Sequence, residues 1–251
     1  MTDDAIPAAT LVLFRESGAG AAEHLFVERA GTMAFAAGAI VFPGGRIDEG
    51  DRLLATHFPD LDPDDAAARI AAIRETIEEA GVAVGFHELP DAALLATMRA
   101  QLLEGMVFSD IIAAAGLTLD PSVLTCFARW RPNMRETRNF DTRFFMARMP
   151  DGAAMASVDA TENVRLFWGT AQSVLDDADA GRVHVIFPTR RNLERLAKLG
   201  SLDAARAEVA VIAPEKITPF FEMRDGERYL CIPEDRGYPV TSELLSSAVR
   251  G

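Results

Sequence analysis

The chain has 251 residues, of which 49% are hydrophobic and 25% are charged, ordinary proportions for a globular protein that buries a core. Its formal net charge is −13, from 38 acidic and 25 basic residues. That balance argues against a nucleic-acid backbone as the main partner, since such binding needs a basic surface. The sequence contains no run of about 18 apolar residues, so no membrane-spanning helix is predicted.

The cysteines, the first residues and the histidines argue against several kinds of site and location. Cys126 and Cys231 are far apart and lack ligand spacing, so neither a disulfide framework nor a zinc site is indicated. Residues 1–5 are acidic and lack the basic and apolar parts of a signal peptide, and we expect a cytoplasmic protein. The histidines are scattered, which argues against a histidine metal site; they are His24, His57, His87 and His184.

The first part of the chain predicts three strands. Residues 8–15 and 23–29 are two strands joined by a Gly-rich hairpin loop at 17–20. A short third strand at 38–42 leads into the turn Pro-Gly-Gly at 43–45. A glycine-rich turn at this place lets the backbone approach another element closely.

The segment 66–80 predicts an amphipathic helix with an acidic face. Ala66, Ile70, Ile73, Ile77 and Ala80 share one stripe. On the opposite side the spacing i, i+3, i+4 is filled by glutamates, and such pairs of like charges oppose helix formation by about 0.2–0.5 kcal/mol each. They are Glu75, Glu78 and Glu79. A divalent cation would offset the repulsion; the alternative is a solvated acidic face.

The glycine turn and the helix together resemble the signature of the Nudix hydrolases. Gly45 is followed after five residues by Asp51, and residues 74–82 read Arg-Glu-Thr-Ile-Glu-Glu-Ala-Gly-Val. The family pattern is Gly, five residues, Glu, seven residues, Arg-Glu-apolar-x-Glu-Glu-x-Gly-apolar. So many fixed positions make the match specific.

The chain departs from the pattern at three points, and the third indicates which members of the family it resembles. Asp51 replaces Glu, Thr76 takes an apolar position, and 22 residues separate Asp51 from Arg74. The extra segment at about 52–65 contains two prolines and four aspartates, which predicts a surface loop. A box interrupted in this way resembles that of the peroxisomal coenzyme A diphosphatases and their bacterial relatives.

A second element bears on this resemblance. Arg29, Gly38 and residues 42–45 are spaced like a segment that precedes the box in Nudix enzymes that cleave coenzyme A. That segment has Thr where Val27 stands and a second Arg where Ala34 stands, so the likeness is incomplete. Arg29 could equally pair with an acid at a strand end.

The resemblance implies an α+β fold, a Nudix-type α/β/α sandwich around a mixed β-sheet with an inserted helical hairpin. We expect one domain over 1–251, with a loop insertion at about 52–65 and a helical insertion at about 89–116. The minimal fold lacks this hairpin, which breaks near Glu104-Gly105. It could shape the substrate pocket, form a contact in a homodimer, or serve packing alone.

Downstream segments supply further strands, helices and charge. Strands are predicted at 82–86, 122–130, 139–145, 160–168, 217–223 and 227–232, and helices at 170–180, 188–199 and 202–209. Six arginines lie between 129 and 148, and from this segment Arg143 is the candidate phosphate contact. The alternative is a charged loop beside an edge strand.

The resemblance also implies site residues. Glu75 and Glu79 would be the main ligands of Mg²⁺ or Mn²⁺, joined by Glu78, the Gly44 carbonyl and Asp51. Arg74 would orient one of these acids. Glu162 is the expected general base, with Asp159 as second candidate and a surface carboxylate as the alternative. The remaining substrate contacts would be Arg29, Gly45, Arg46 and Arg143.

The implied reaction is metal-dependent hydrolysis of a nucleoside diphosphate linked to another moiety, X-diphosphate-Y. Coenzyme A or an acyl-coenzyme A is one substrate; ADP-ribose or a dinucleotide is the alternative within the same chemistry. A Nudix domain that binds a nucleotide metabolite without cleaving it is the alternative of another class. The expected partner is therefore a small diphosphate, with no nucleic acid and no membrane.

Overall fold

The computed structural model describes residues 5–16, 18, 20–31, 36–132, 139–153 and 163–248. In these ranges a mixed sheet of eight strands forms the centre of the molecule. The strands are β1 (Ile6–Arg15), β2 (Glu23–Arg29), β3 (Ile40–Val41), β4 (Gly44–Arg46), β5 (Thr125–Trp130), β6 (Phe140–Arg148), β7 (Asn163–Thr170) and β8 (Lys216–Ile217). A separate three-stranded sheet contains β9 (Phe220–Arg224), β10 (Glu227–Cys231) and β11 (Ser242–Leu244).

Strand β1 organises the large sheet. The order is β3-β2-β1-β6-β5-β8, with β4 added to β1 and β7 added to β2. Strands β1 and β6 are parallel, with Ile6 opposite Phe140 and Phe14 opposite Arg148. The antiparallel pairing of β1 with β4 sets Thr10 opposite Gly44, which brings the glycine turn to the middle of the molecule.

Helices cover both faces of this sheet. The helices are α1 (Glu49–Ala55), α2 (Pro63–Ala80), α3 (Ala92–Leu103), α4 (Phe108–Ala115), α5 (Ala171–Asp179), α6 (Phe187–Leu199), α7 (Leu202–Val211) and α8 (Leu245–Ala248). Because side chains alternate along a strand, Leu11 and Leu13 pack with α1 to α4 on one face. Val12 and Phe14 pack with α5 to α7 on the other. The predicted α/β/α sandwich around a mixed sheet is thereby confirmed. No helix in the described part of the chain is long and apolar enough to cross a membrane.

Two local predictions were wrong. The segment predicted as a loop over 52–65 contains the end of α1, and α2 begins at Pro63. Proline fits the first turn of a helix, and Asp62 caps this one by accepting a hydrogen bond from the Asp65 N–H. The predicted strand at 82–86 is not formed, since only Phe86 makes an isolated bridge, to Leu119.

The inserted helical hairpin is present, as α3 and α4, with its break at 104–107. Gly105 has a φ of 82°, a left-handed conformation that glycine adopts without strain. Buried Leu95, Met98 and Ile111 pack the hairpin into the same core as α2.

Candidate active site

Helix α2 presents the acidic residues beside the glycine turn. Ile70, Ile73 and Ile77 are fully buried and fix which face of α2 lies on the sheet. The helix ends at Gly81, whose φ of 63° is the left-handed conformation of a helix C-cap. The last two turns of α2 therefore lie directly under β4.

Gly44 and Gly45 contact these turns with no room for side chains. The Gly44 N–H donates to Glu79 Oε2 at 2.9 Å. A Cβ added to Gly45 would lie 2.3 Å from Glu75 Oε1. The two ends of the interrupted box thus meet in space.

Arg74 connects the acids of the site. Its Nε and Nη2 donate to the two oxygens of Asp51 at 3.0 and 2.9 Å. Its Nη1 donates to Glu75 at 2.9 Å and reaches Glu78 at 3.5 Å. Nη2 also donates to the Arg46 carbonyl at 2.8 Å. Arg74 therefore contacts Asp51, Glu75 and Glu78 together, and its expected role in orienting the acids stays a prediction.

Asp51 supports Arg74 from inside the protein. Its carboxylate is fully buried, accepts the two Arg74 bonds and accepts a third from the Asp48 N–H at 2.8 Å. These contacts let Asp51 position Arg74, and the expected role of Asp51 as a metal ligand stays a prediction. Asp48 is the N-cap of α1, and this capping box places Asp51 correctly despite the long spacer.

The carboxyl groups of Glu75 and Glu79 have raised pKa values. Burial is the largest cause for both, because a buried carboxylate loses hydration. The charge of Glu78 further raises the pKa of Glu75, and the charge of Glu75 raises that of Glu79. Hydrogen bonds from Gly44 and Asn163 act in the opposite direction on Glu79. The carboxylates of Glu75, Glu78 and Glu79 thus lie close enough to repel one another.

A cavity of about 800 Å³ opens above these residues. At its polar end are Glu75, Glu78, Asp51 and Arg74, with Arg46 at the side. Apolar side chains also line it: Phe42 from the turn after β3, Trp130, Phe140 and Phe144 from the sheet, and Leu102, Met106, Val107 and Phe108 from the helical hairpin. The cavity therefore offers both polar and apolar contacts.

Of the other predicted site residues, some line the cavity and some do not. Arg29 and Arg46 line the cavity. Arg143 does not line it: its Nη1 donates to the Asp64 carbonyl at the start of α2, whereas its neighbours Thr142 and Phe144 face the cavity. The alternation of β6 explains this difference. Glu162, like Asp159 and Ala34, lies outside the described residues.

The geometry suits a metal that takes only part of its ligands from protein. Within the described ranges, no three Asp, Glu, His or Cys side chains enclose an ion in this conformation. Glu79 is buried and Glu75 is partly buried beside it, and loss of hydration is the largest cause of the raised pKa of both carboxyls. Mg²⁺ commonly binds one or two carboxylates and completes its shell with water and substrate phosphate, so the donor set fits such an ion.

Sequence reasoning missed three supporting residues. Asn163, at the buried start of β7, hydrogen-bonds Glu79. Arg99 of α3 donates to the backbone carbonyls of Glu78 and Glu79, both at 2.9 Å. Asp48 could have been found from its capping-box spacing to Asp51. The other two contacts join distant parts of the chain and leave no local signal.

Comparison with known proteins agrees with this geometry. No family model matches the chain. A NUDIX hydrolase from Alicyclobacillus acidocaldarius is similar at 28% identity, over 81% of this chain and 96% of that chain, with a TM-score of 0.72. More weakly similar are the NUDIX domain of Shewanella oneidensis NrtR complexed with ADP ribose (14% identity, 83% and 90% covered, TM-score 0.43) and a C. elegans Ap4A hydrolase (16% identity, 83% and 98% covered, TM-score 0.39).

The structural neighbours are therefore Nudix hydrolases, and the chain has the Nudix fold. The similarity to the Alicyclobacillus hydrolase spans most of both chains. It supports the prediction that this chain is a Nudix diphosphohydrolase.

Proposed function

We propose that this chain is a divalent-metal-dependent Nudix diphosphohydrolase that cleaves X-diphosphate-Y into two phosphate monoesters. The observation that carries the proposal is the pair of Glu75 and Glu79, held against the Gly44–Gly45 turn beside a cavity that Glu75 lines. Several carboxylates converge at the acidic end of that cavity, among the residues that the structure describes. A diphosphate bound with its metal would lie there.

Glu75 and Glu79 would hold the metal, with Glu78 beside them at the cavity wall. Nudix hydrolases generally depend on a divalent metal, and the oxygen donors here suit Mg²⁺ or Mn²⁺. When bound, such an ion neutralises the charge of the diphosphate and lowers the pKa of a bound water.

The protein's own contribution is to hold these groups in place. Arg74 fixes Glu75, and the Gly44 N–H fixes Glu79, so neither carboxylate has to reorganise when substrate arrives. Such positioning matters because in-line attack by water depends on geometry. A proton acceptor is required for this water. Glu162 stays the predicted base, and a box glutamate with a raised pKa is the second candidate.

Positive charge at the cavity wall supports an anionic substrate. Arg29 and Arg46 both line the cavity, although the whole chain is acidic. Within the class of diphosphates, coenzyme A and its acyl esters are the proposed substrates. The sequence features that support this choice are the interrupted box, Arg29, Gly38 and the Phe-Pro-Gly-Gly turn. Val27 and Ala34 differ from that pattern, so ADP-ribose and dinucleotides belong in the same assay.

The proposal is tested by incubating the purified chain with coenzyme A, an acyl-coenzyme A, ADP-ribose and a dinucleotide, with Mg²⁺, with Mn²⁺ or with a chelator. We expect turnover of at least one compound, and only with metal. Glu79→Gln keeps the shape but removes a ligand charge, and we expect kcat to fall by at least about a hundredfold.

The exposed acid Glu88 provides the matched control, because it lies outside the cavity. Glu88→Gln should keep the activity of the unmodified chain. Tight binding of one compound without turnover of any would contradict hydrolysis and would favour the binding-only alternative.

A further inference from the structure

The loop between α3 and α4 leaves apolar side chains uncovered beside the acidic end of the cavity. Met106 and Val107 line the cavity and are 43% and 47% exposed. Their neighbours Leu102 and Phe108 are buried and anchor the loop. Apolar groups exposed at the rim of a ligand cavity mark a surface that a ligand covers.

This loop is held in a fixed position relative to the catalytic acids. Arg99 ties α3 to the backbone of Glu78 and Glu79 at the end of α2. Val107 packs against α1, since a Cβ added to Gly50 would lie 2.8 Å from Val107 Cγ1. Gly50 directly precedes Asp51, which positions Arg74. The apolar loop and the acidic cluster therefore belong to one connected structure.

The loop also has an ordered backbone. The Gly105 N–H donates to the Leu102 carbonyl at 2.8 Å, and the Met106 N–H donates to the Gln101 carbonyl at 3.0 Å. The Ile111 N–H donates to the Val107 carbonyl at 3.2 Å, which starts α4. Met106 and Val107 are thus presented by a turn whose hydrogen bonds are satisfied on both sides. A preformed apolar surface binds an apolar group with little ordering cost.

From these contacts we infer that Met106 and Val107 determine specificity by binding an apolar group on one side of the substrate's diphosphate. The inference rests on the proposed function, because it places the diphosphate at Glu75 and Glu79. It goes beyond that function by assigning the two residues that would contact an alkyl or acyl chain on one of the two linked moieties, and so favour substrates that carry such a chain.

The test compares two β-alkyl esters of ADP, one with an ethyl chain and one with an octyl chain. Burial of one methylene contributes about 0.8 kcal/mol, or roughly a fourfold change. If two or three methylenes are covered by the loop, the ratio of kcat/KM for octyl over ethyl should exceed about ten in the unmodified chain. Met106→Ser and Val107→Ser should each lower this ratio by about fivefold or more.

Leu103→Ser is the matched control. Leu103 is 44% exposed and lies on the same hairpin, but it does not line the cavity. This variant should keep the ratio of the unmodified chain. An octyl-to-ethyl ratio near one, or a ratio that Met106→Ser and Val107→Ser leave unchanged, would overturn the inference.

Equilibrium binding of the two esters separates this inference from the proposed hydrolysis. If neither ester is cleaved, the ratio of the two Kd values takes the place of the kinetic ratio with the same expectation for each variant. The proposed hydrolysis itself fails only if coenzyme A, acyl-coenzyme A, ADP-ribose and the dinucleotide are not cleaved either. A dimer that dissociates in Leu103→Ser and Met106→Ser alike would also overturn the inference, because a second copy would then cover the loop.

Discussion

Gly44 and Gly45 are adjacent in sequence, but different neighbours exclude a side chain at each. A Cβ on Gly44 would lie 2.4 Å from the Ala9 carbonyl oxygen, which is backbone of the central strand β1. A Cβ on Gly45 would instead meet the carboxylate of Glu75 at 2.3 Å. The backbone of β1 cannot move without disturbing the sheet, whereas a carboxylate can turn away. A substitution at Gly44 should therefore affect folding, and a substitution at Gly45 should affect catalysis.

We therefore predict opposite results for two alanine variants. Gly45→Ala should displace Glu75 and lower kcat/KM by about ten- to a hundredfold, with a change of less than about 1 kcal/mol in the free energy of unfolding. Gly44→Ala should reduce the free energy of unfolding by roughly 1–3 kcal/mol, because a well-packed strand is overfilled. Urea titration and steady-state kinetics measure the two effects.

Gly20→Ala is the control for this pair, because an added Cβ there meets no atom within 4 Å. If Gly45→Ala proved fully active, Glu75 would not depend on that turn, and its role as a ligand would be in question.

At the scale of residues, sequence reasoning found the acids but not all of their partners. The spacing of Glu75, Glu78 and Glu79 places them on one side of α2, and helical periodicity alone is sufficient for that. The spacing pattern places Asp51 in the site but does not show that Arg74 donates to both of its oxygens. Its role as a metal ligand stays a prediction. Asn163 was missed because its contact with Glu79 depends on how β7 enters the sheet.

At the scale of elements, the hairpin α3–α4 provides hydrogen-bond donors to the C-terminal end of α2. The last carbonyls of a helix have no partner within the helix, and Arg99 provides donors to those of Glu78 and Glu79. A cation at this end is also favoured by the helix dipole. Arg99 thus stabilises the helix that carries the site and joins the hairpin to it.

Arg99→Met keeps most of the stem and removes the guanidinium. Because each of the two hydrogen bonds from this charged group contributes at least about 1.5 kcal/mol, we expect the free energy of unfolding to fall by roughly 3 kcal/mol or more. Activity should fall as well, since the end of α2 loses a fixed position. Denaturant unfolding, read by circular dichroism, measures the first effect.

Arg182→Met is the comparison variant, because Arg182 forms a solvent-exposed pair with Asp177. Exposed pairs contribute at most about 1 kcal/mol. Equal losses in the two variants would contradict a special role for Arg99.

The elements differ in how readily the sequence predicts them. Strand β1 and helix α2 follow from clear periodicity, and the break at Gly105 follows from glycine. The segment 82–86 was predicted as a strand because it is apolar, and Val82, Ala83 and Val84 are indeed buried. Gly85, however, has a φ of 74° and its carbonyl accepts from the Asp120 N–H, so the segment joins no ladder. Burial without pairing cannot be read from a short apolar run.

At the scale of the whole molecule, one buried histidine couples stability to pH. His24 is 2% exposed and lies among aromatic rings, with its ring centroid 4.5 Å from that of Phe14. Burial lowers its pKa from 6.5 to about 4, although the Leu13 carbonyl, 3.1 Å from Nδ1, acts in the opposite direction. The native state thus holds a neutral imidazole.

The sign of the effect follows from proton uptake. Between pH 6.5 and 4 the unfolded chain binds a proton at His24 that the folded chain does not, so stability falls as the pH falls. A shift of this size corresponds to roughly 3 kcal/mol over the full window. The contribution is complete above pH 6.5 and is lost progressively toward pH 4.

His24→Phe should remove this contribution, measured as the difference from the unmodified chain in the free energy of unfolding between pH 7 and about 4.5. The raised pKa values of the Glu75 and Glu79 carboxyls act with the opposite sign in this window and are common to both chains. His57 is exposed, so His57→Gln should keep the slope of the unmodified chain. A steep slope that persists in His24→Phe would assign the pH dependence to other groups.

The anchoring of the hairpin by Arg99 limits how this enzyme can be re-engineered. The hairpin is one continuous segment of the chain, as an exchangeable module would be. Replacing it with a hairpin from another protein would, however, leave the carbonyls of Glu78 and Glu79 without their donors. A working chimera therefore needs an arginine at the position of Arg99, whatever side chains its new loop presents to the ligand.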